Sequence, residues 1–487
     1  MGQVSDSDFP DPPEGHDRRT SATAIASRMA STSRSAGLAR RVRRSVAWHR
    51  FKEYVNGALW VLPTAAALLA LAAGYVMSQV SHDPNSLVDR LAFQGTGDDA
   101  RALLITVSST VVTVIALVLG LTVVALQLSS TQFSPRLLRN FLRDRSTQVV
   151  LSAFVATFVY SAAGLFTVGL EGGARTEDFP RLAISGSILL LFVSLGFVVY
   201  FADHLAHSIQ IDAINRRIER NTRRTIVQEG SAPVHEVPPR APEWAVPLVG
   251  RSSGYIQTVH PELLLPLAAE TDVTIRLRHR VGQHVVAGTV FGWVWTRSPD
   301  EPRPSAAVFE ESVLPDISIG FERTIEQDIG FGIRQQTDIA CKALSAAIND
   351  PYTAVQAIEH LAVVYCDLAV RPLGAKVLDG PGGRGRVVVP GSTFSEYVRF
   401  IGDVLGRYGA NDVSVMLAFT RLLRNCVDVL PAGSERLQVL EEAAETALAD
   451  VERAMPRASD TERVRAAVTS LHHTIAVRRA HQVAQTS

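Results

Sequence analysis

The sequence predicts an α-helical membrane protein with four transmembrane helices, followed by a cytoplasmic α+β region made of a small β-barrel-like module and a helical bundle. Three observations predict it. Four long stretches in the N-terminal half carry no charge, an alternating apolar and polar period begins near residue 255, and helical spacing with capping residues returns beyond residue 326. At 487 residues the chain exceeds one compact core. The divisions expected are a disordered cytoplasmic tail (1–50), a four-helix transmembrane domain (51–208), a basic juxtamembrane helix and linker (209–250), a small β-module (251–300) and a mainly helical cytoplasmic domain (301–487).

The first fifty residues are rich in Ser, Asp, Pro and Arg and lack the short apolar core and small-residue cleavage site of a signal peptide, so they read as a disordered tail. Charge-free runs then cover Tyr54 to Ser81, Ala102 to Pro135, Ser146 to Leu170 and Leu182 to Ala202. Each is long enough to cross a hydrocarbon layer of about 30 Å as a helix, the form that satisfies its own backbone amides in lipid. Arg40, Arg41, Arg43, Arg44, Arg50 and Lys52 precede the first run; Arg136, Arg139, Arg143 and Arg145 separate the second from the third; the other two loops are acidic. The positive-inside rule therefore places both termini in the cytoplasm.

The second run is dense in small and hydroxyl residues. Ser109, Thr113, Ala116, Gly120, Gln127 and Thr131 fall near one helical face. Two readings stand: tight helix packing, since small residues let backbones approach, or the lining of a pore in a homo-oligomer. No Asp, Glu, Lys, Arg or His lies inside any run, which argues against proton-coupled transport and leaves passive conduction of an ion or small solute open. Asp203, His204 and His207 close the fourth run, where interfacial histidines are commonplace. Beyond them Ile211, Ile214 and Ile218 share one side of a helix whose other side carries Arg216, Arg217, Arg220, Arg223 and Arg224, so the segment is expected to lie against anionic headgroups of the bilayer.

Gly230 to Gly254 is proline-rich and reads as a linker. Tyr255 to Val259 and Val273 to Arg278 read as strands flanking a short helix, Glu262 to Glu270. Val281-Gly282-Gln283-His284-Val285-Val286-Ala287-Gly288 resembles the strand-turn pattern of biotinyl/lipoyl-type domains. Their modified lysine has no counterpart, because the chain has no lysine between Lys52 and Lys342, so no prosthetic group or other cofactor is expected. The densest polar motif follows, with Gln327, Asp328, Arg334 and Asp338, then Asn349-Asp350-Pro351. Ile333 to Ala347 reads as a helix in which Arg334 and Asp338 pair at i,i+4, and Asp350 with Pro351 starts the next helix. The same six polar residues, Gln327, Asp328, Arg334, Asp338, Asn349 and Asp350, are alternatively the wall of a ligand site.

Cys341, Cys366 and Cys426 are far apart, without a CxxC or Cys/His cluster, so neither disulfides nor a metal site is expected. No activated nucleophile is evident, and an enzyme is not predicted. Arg386 to Val389 reads as a strand. Thr393-x-x-Glu396 then opens a helix that Gly409 closes, Asp412 or Asn411 caps the next, and Ser459-x-x-Glu462 begins the last. The arginines are dispersed and form no nucleic-acid stripe.

The run Gln132-Phe133-Ser134-Pro135-Arg136-Leu137-Leu138-Arg139-Asn140-Phe141, the four spans, and the Ala343-Leu344-Ser345 to Asn349-Asp350-Pro351-x-Thr353-Ala354 segment together resemble the bacterial predicted membrane proteins catalogued as domain of unknown function 2254. The resemblance runs from about Arg50 to Asp428. It implies residence in the bacterial inner membrane and supplies no reaction or ligand. The leading functional expectation is an oligomeric channel or permeation protein gated by its cytoplasmic domain. The alternative is a membrane-anchored sensor or scaffold that binds a small ligand or protein through Gln327 to Asp350.

Overall fold

A computed structural model describes residues 58–79, 92–132, 144–168, 180–208, 210–230, 234–235 and 239–486. The expected tail, the arginines expected between the second and third spans at 136, 139 and 143, and the Phe133–Phe141 part of the family motif lie outside the described residues.

Among the described residues three helices are long and apolar enough to cross a membrane: α2 (Gly97–Gln132), α3 (Arg145–Val168) and α4 (Arg181–Ser208). The first of the four expected spans is the shorter apolar helix α1 (Val61–Gln79). Buried Val107, Val111 and Val118 of α2 meet Val150 and Phe154 of α3 and Phe201 of α4. Between α3 and α4 the hydroxyls of Thr157 and Ser194 lie 2.7 Å apart, as do those of Ser161 and Ser187. Such pairs hold helices together where no water competes.

That packing does not use the hydroxyl stripe of the second span. Ser109, Thr113, Ala116, Gly120 and Gln127 all face outward, and a Cβ built on Gly120 would have no atom within 4 Å. Ser109 and Thr113 donate to carbonyls of their own helix, Thr106 and Ser109, each at 3.0 Å. Thr131 is on the same helix, with its side chain outside the described residues. The tight helix packing read for the stripe therefore has no partner helix among the described residues of this chain, where aliphatic residues on the opposite face make the contacts.

After α4, helix α5 (Ile211–Glu229) carries the basic segment. Its apolar side is not available to a membrane. Ile214, Ile218 and Ile226 are buried in the core of the C-terminal helices, with Ile333 of α8 (Ile329–Ala343) and Leu361 and Tyr365 of α9 (Pro351–Ala369). The arginines remain exposed on the other side. The expectation that this helix lies against headgroups therefore rests on its arginine face alone, since the apolar face packs on protein. Asp328 caps α8 by accepting from the Phe331 amide at 3.0 Å, so the helix begins four residues earlier than spacing indicates and ends at Ala343.

The described strands form two sheets. The larger has the order β1-β8-β9-β4-β6-β2, with β1 (Val234–His235), β2 (Val246–Val249), β4 (Val273–Leu277), β6 (Val290–Thr296), β8 (Ala375–Asp379) and β9 (Arg386–Val389). The smaller is β5-β3-β7, from His284–Val285, Gly254–Val259 and Ile317–Gly320. Helix α6 (Pro261–Thr271) and the short α7 (Ala306–Val313) pack against them. In place of a barrel-like module closed within 251–300, β4 pairs in parallel with β9, Ile275 opposite Val387, and β9 pairs antiparallel with β8. The sheet thus reaches into the segment expected to be helical. Alternation explains the strands, since Val273, Ile275 and Leu277 are buried with Leu248, Val294 and Val387 while Thr274 and Arg276 are half-buried.

The remaining helices are α10 (Phe394–Tyr408), α11 (Val413–Val429), α12 (Arg436–Ala454) and α13 (Ala458–Thr486). Thr393 caps α10 through the Glu396 amide and Asp412 caps α11 through Ser414 and Val415, as the spacing predicts. Leu405, Leu422, Leu440, Val451, Val464 and Leu471 join this bundle to the core around Tyr365.

Candidate functional site

A cleft of about 290 Å³ opens where the sheets, α5 and the helical bundle meet. Each wall comes from a chain turn that secondary structure forces into place. The turn after β4 brings Arg280, Gly282 and Gln283; the segment between β7 and α8 brings Arg323, Gln327 and Asp328; α8 adds Arg334. The end of α5 contributes Ile226, Glu229 and Gly230, the stretch after α9 contributes Arg371 and Lys376, and α10 contributes Glu396, Tyr397 and Phe400.

Gly282 is required at its position. Its φ is +85°, and a Cβ there would overlap Asp328 Oδ2 and lie 2.6 Å from the carboxyl carbon. The glycine predicted as a turn residue thus lets the β4–β5 turn close over the cap of α8. Gln327 is fixed by accepting from the Val259 amide at 2.8 Å, which ties the segment to β3.

The charges are mostly paired. Arg323 donates from Nε and Nη2 to Asp328 Oδ2 at 2.9 and 2.7 Å. Burial pushes the Asp328 carboxyl above its ordinary value, while Arg323 beside it and the Phe331 amide draw it back. Arg334 donates to Asp338 at 3.0 Å and lies over the Phe400 ring, 5.4 Å from its centre. Arg280 meets Glu396 at 2.5 Å, and Lys376 meets Glu229 at 2.5 Å. Arg371 is different. Half-buried, it has no carboxylate partner among the described residues, and its guanidinium lies beside Gly230, 3.5 Å from where a Cβ would stand. Burial pushes the phenol of Tyr397 up to about 12, so it stays a neutral wall at any physiological pH.

Of the six polar residues singled out in the sequence, Gln327, Asp328 and Arg334 line the cleft, and Asp338 holds Arg334. Asn349 and Asp350 do not. They lie beyond the other end of α8, where Asn349 takes a left-handed φ of +50° and Asp350 caps α9 by accepting from the Thr353 amide at 3.1 Å. Their role is helix punctuation. Sequence reasoning missed Arg280, Arg323, Arg371, Lys376, Glu229 and Glu396, because each stands on a different element and no linear spacing joins them.

The sequence model of a family described as "Predicted membrane protein (DUF2254)" matches residues 56–425, a stretch that holds the apolar helices and every wall of the cleft. The chain belongs to this family. Within it, an uncharacterized protein of Mycobacterium tuberculosis strain H37Rv is 43% identical over 387 residues, covering 77% of this chain and 74% of the relative. An uncharacterized protein of Mycobacterium bovis matches to the same extent. No solved structure matches the chain. Membership in this predicted membrane protein family agrees with the three membrane-length helices and leaves the chemistry of the cleft to be read from its own residues.

Proposed function

We propose that the chain is a membrane-anchored sensor whose cytoplasmic cleft binds a small anion. The apolar helices, with residues 54–81 as a fourth span and both termini cytoplasmic, hold it in the bacterial inner membrane. One observation carries the reading: Arg371 faces the cleft with no carboxylate among the described residues to answer it, while the cations around it are paired. A half-buried guanidinium without a counter-ion favours an incoming carboxylate or phosphoryl group, with which it forms two parallel hydrogen bonds. Mutual pairing fixes the other side chains, so little ordering cost opposes binding. Nothing among the lining residues forms a nucleophile and base pair, and the reading is of binding without turnover.

The test is a thermal-shift series on the detergent-solubilised full chain with phosphate, nucleotides, dicarboxylates and chloride at matched ionic strength. Stabilisation by at least one multivalent anion, lost in Arg371→Gln, is expected. Equal response to all salts overturns the reading.

A second reading rests on the outward hydroxyl face of α2. In a homo-oligomer this face meets its own copies, and Ser109, Thr113, Ala116, Gly120, Gln127 and Thr131 line an ion or solute path. Ion flux from proteoliposomes that Thr113→Leu or Gly120→Leu blocks supports it. Flux absent from the native chain removes it.

A further inference from the structure

The anion-binding reading gains a ligand class and a consequence from the end of α5. Glu229 and Gly230 are consecutive residues at that end, and each is next to a cation of the cleft: Lys376 is 2.5 Å from Glu229, and Arg371 lies beside Gly230. Both positive charges sit at the C-terminus of the helix, where its dipole is negative, so together they fasten it. A monoanion needs only Arg371. A dianion needs a second cation, and Lys376 is free for it only when Glu229 lets go.

We propose that the ligand presents a dianionic phosphoryl group that takes Lys376 from Glu229 and shares it with Arg371, thereby releasing the last turn of α5. This proposal rests on the cleft being an anion site. The Lys376–Glu229 pair is well shielded, with side-chain exposures of 23% and 17%. Glu229 left without its partner in that position is costly, so it turns out toward water and the turn that carries it loosens. Farther back the helix is held independently by Arg223 to Asp367 at 2.7 Å, His360 to Glu219 at 2.6 Å and Thr225 to the Ile325 carbonyl at 2.7 Å. Release is therefore local to the C-terminal end. Reciprocity then follows: whatever holds the last turn of α5 in place weakens the affinity for the phosphoryl group by the same factor by which the phosphoryl group loosens that turn.

The experiment measures binding of inorganic phosphate and pyrophosphate to the solubilised full chain by calorimetry, with chloride at matched ionic strength, and follows cleavage of the native chain after Glu229 by a glutamate-specific protease. Glu229→Gln removes the competitor and is expected to tighten phosphate binding at least about 5-fold, within the usual range of coupling between sites. Lys376→Met and Arg371→Gln are expected to abolish it, and phosphate is expected to speed cleavage in the native chain. Glu229→Asp, which keeps the charge, controls for folding and should bind as the native chain does. Phosphate binding with no gain in Glu229→Gln overturns the competition while leaving the anion site standing. Stabilisation by dicarboxylates but not phosphate overturns the phosphoryl class and again spares the site. No response to any anion removes both. Nanodiscs of phosphatidylcholine with and without phosphatidic acid separate the two sources of the group: competition of the anionic lipid with free phosphate assigns the site to a headgroup, and independence assigns it to a soluble metabolite.

Discussion

The docking of α5 on α8 turns on one glycine, and replacing it should undo the contact. A Cβ on Gly332 would overlap Thr222 Oγ1 and approach Thr222 Cβ and Cγ2 to 2.9 Å. Thr222 is at 0% exposure and Gly332 is buried. Gly332→Val adds three carbons to this closed contact, and overpacking of that kind costs about 3 kcal/mol at the upper end of its usual range. The helix itself gains roughly 0.4 kcal/mol, because valine is a slightly better helix former than glycine. The net loss is about 2.5 kcal/mol, which lowers Tm by roughly 5–10 °C for a domain of this size. Unfolding followed by the fluorescence of Trp244, Trp293 and Trp295 reads it directly. Thr222→Ala alone removes one hydroxyl bond to the Ile218 carbonyl at 2.8 Å within its own helix and should cost little. Combined with Gly332→Val it should recover a large part of the loss, giving a coupling of about 1 kcal/mol or more. Strict additivity of the two substitutions, or a Gly332→Val chain as stable as the native one, refutes the docking.

Three further outcomes are expected. Asp350→Ala removes the cap of α9 and should cost about 1 kcal/mol in chemical denaturation. Hydrogen bonds from the Thr353 hydroxyl and amide hold the Asp350 carboxyl below its ordinary value of 3.8, so the cap's contribution is present above that value. It is lost as pH falls through the lowered folded value, and the gap between native and variant chains should close in acid. Among the three thiols, iodoacetamide should modify Cys366 first, because the neighbouring Cys426 thiol draws its pKa down. Cys341 is pushed up to about 11, chiefly by burial, and Cys426 is buried; labelling of Cys341 ahead of Cys366 in peptide mass spectra contradicts this order. Cutting the Arg280–Glu396 pair with Glu396→Gln should change stability by less than about 1 kcal/mol, since both side chains are partly exposed.

Local signals in the sequence were legible wherever one element satisfied itself. The apolar runs that form α2, α3 and α4, the strands around Val259 and Ile275, the Arg334–Asp338 pair and the caps at Asp350, Thr393 and Asp412 all follow from spacing within one segment. What spacing could not show was partnership between segments. The parallel pairing of β4 with β9 joins residues more than a hundred positions apart, and the cleft depends on it. Glu396 illustrates the limit. Its distance from Thr393 suggests a reciprocal capping box, yet the side chain goes to Arg280 on the β4–β5 turn, a partner invisible from the helix. The cleft was half found because Gln327, Asp328 and Arg334 fall within one eight-residue motif, while Arg371 and Lys376 stand in an ordinary loop and strand.

Helix α5 shows why amphipathicity alone misplaces a segment. One apolar side and one arginine-rich side suit a headgroup surface and the outer wall of a soluble core equally. The deciding residues lie on the apolar side itself: Asn215, Thr222 and Thr225 are buried there, poor choices for contact with acyl chains and good ones for close approach to another helix. Thr225 uses its hydroxyl to reach the Ile325 carbonyl, and Gln336 of α8 donates to the Asn215 carbonyl at 3.2 Å. The arginines then divide by partner. Arg223 is paired with Asp367, and with its side chain 47% exposed the bond should contribute about 0.2–1 kcal/mol. Arg217 is exposed and has no such bond among the described residues, so Arg217→Gln should leave Tm unchanged while Arg223→Gln lowers it slightly. If the two substitutions behave alike in stability, and both weaken association with anionic nanodiscs equally, the arginine face acts as a single headgroup surface and the distinction drawn from the Asp367 contact fails.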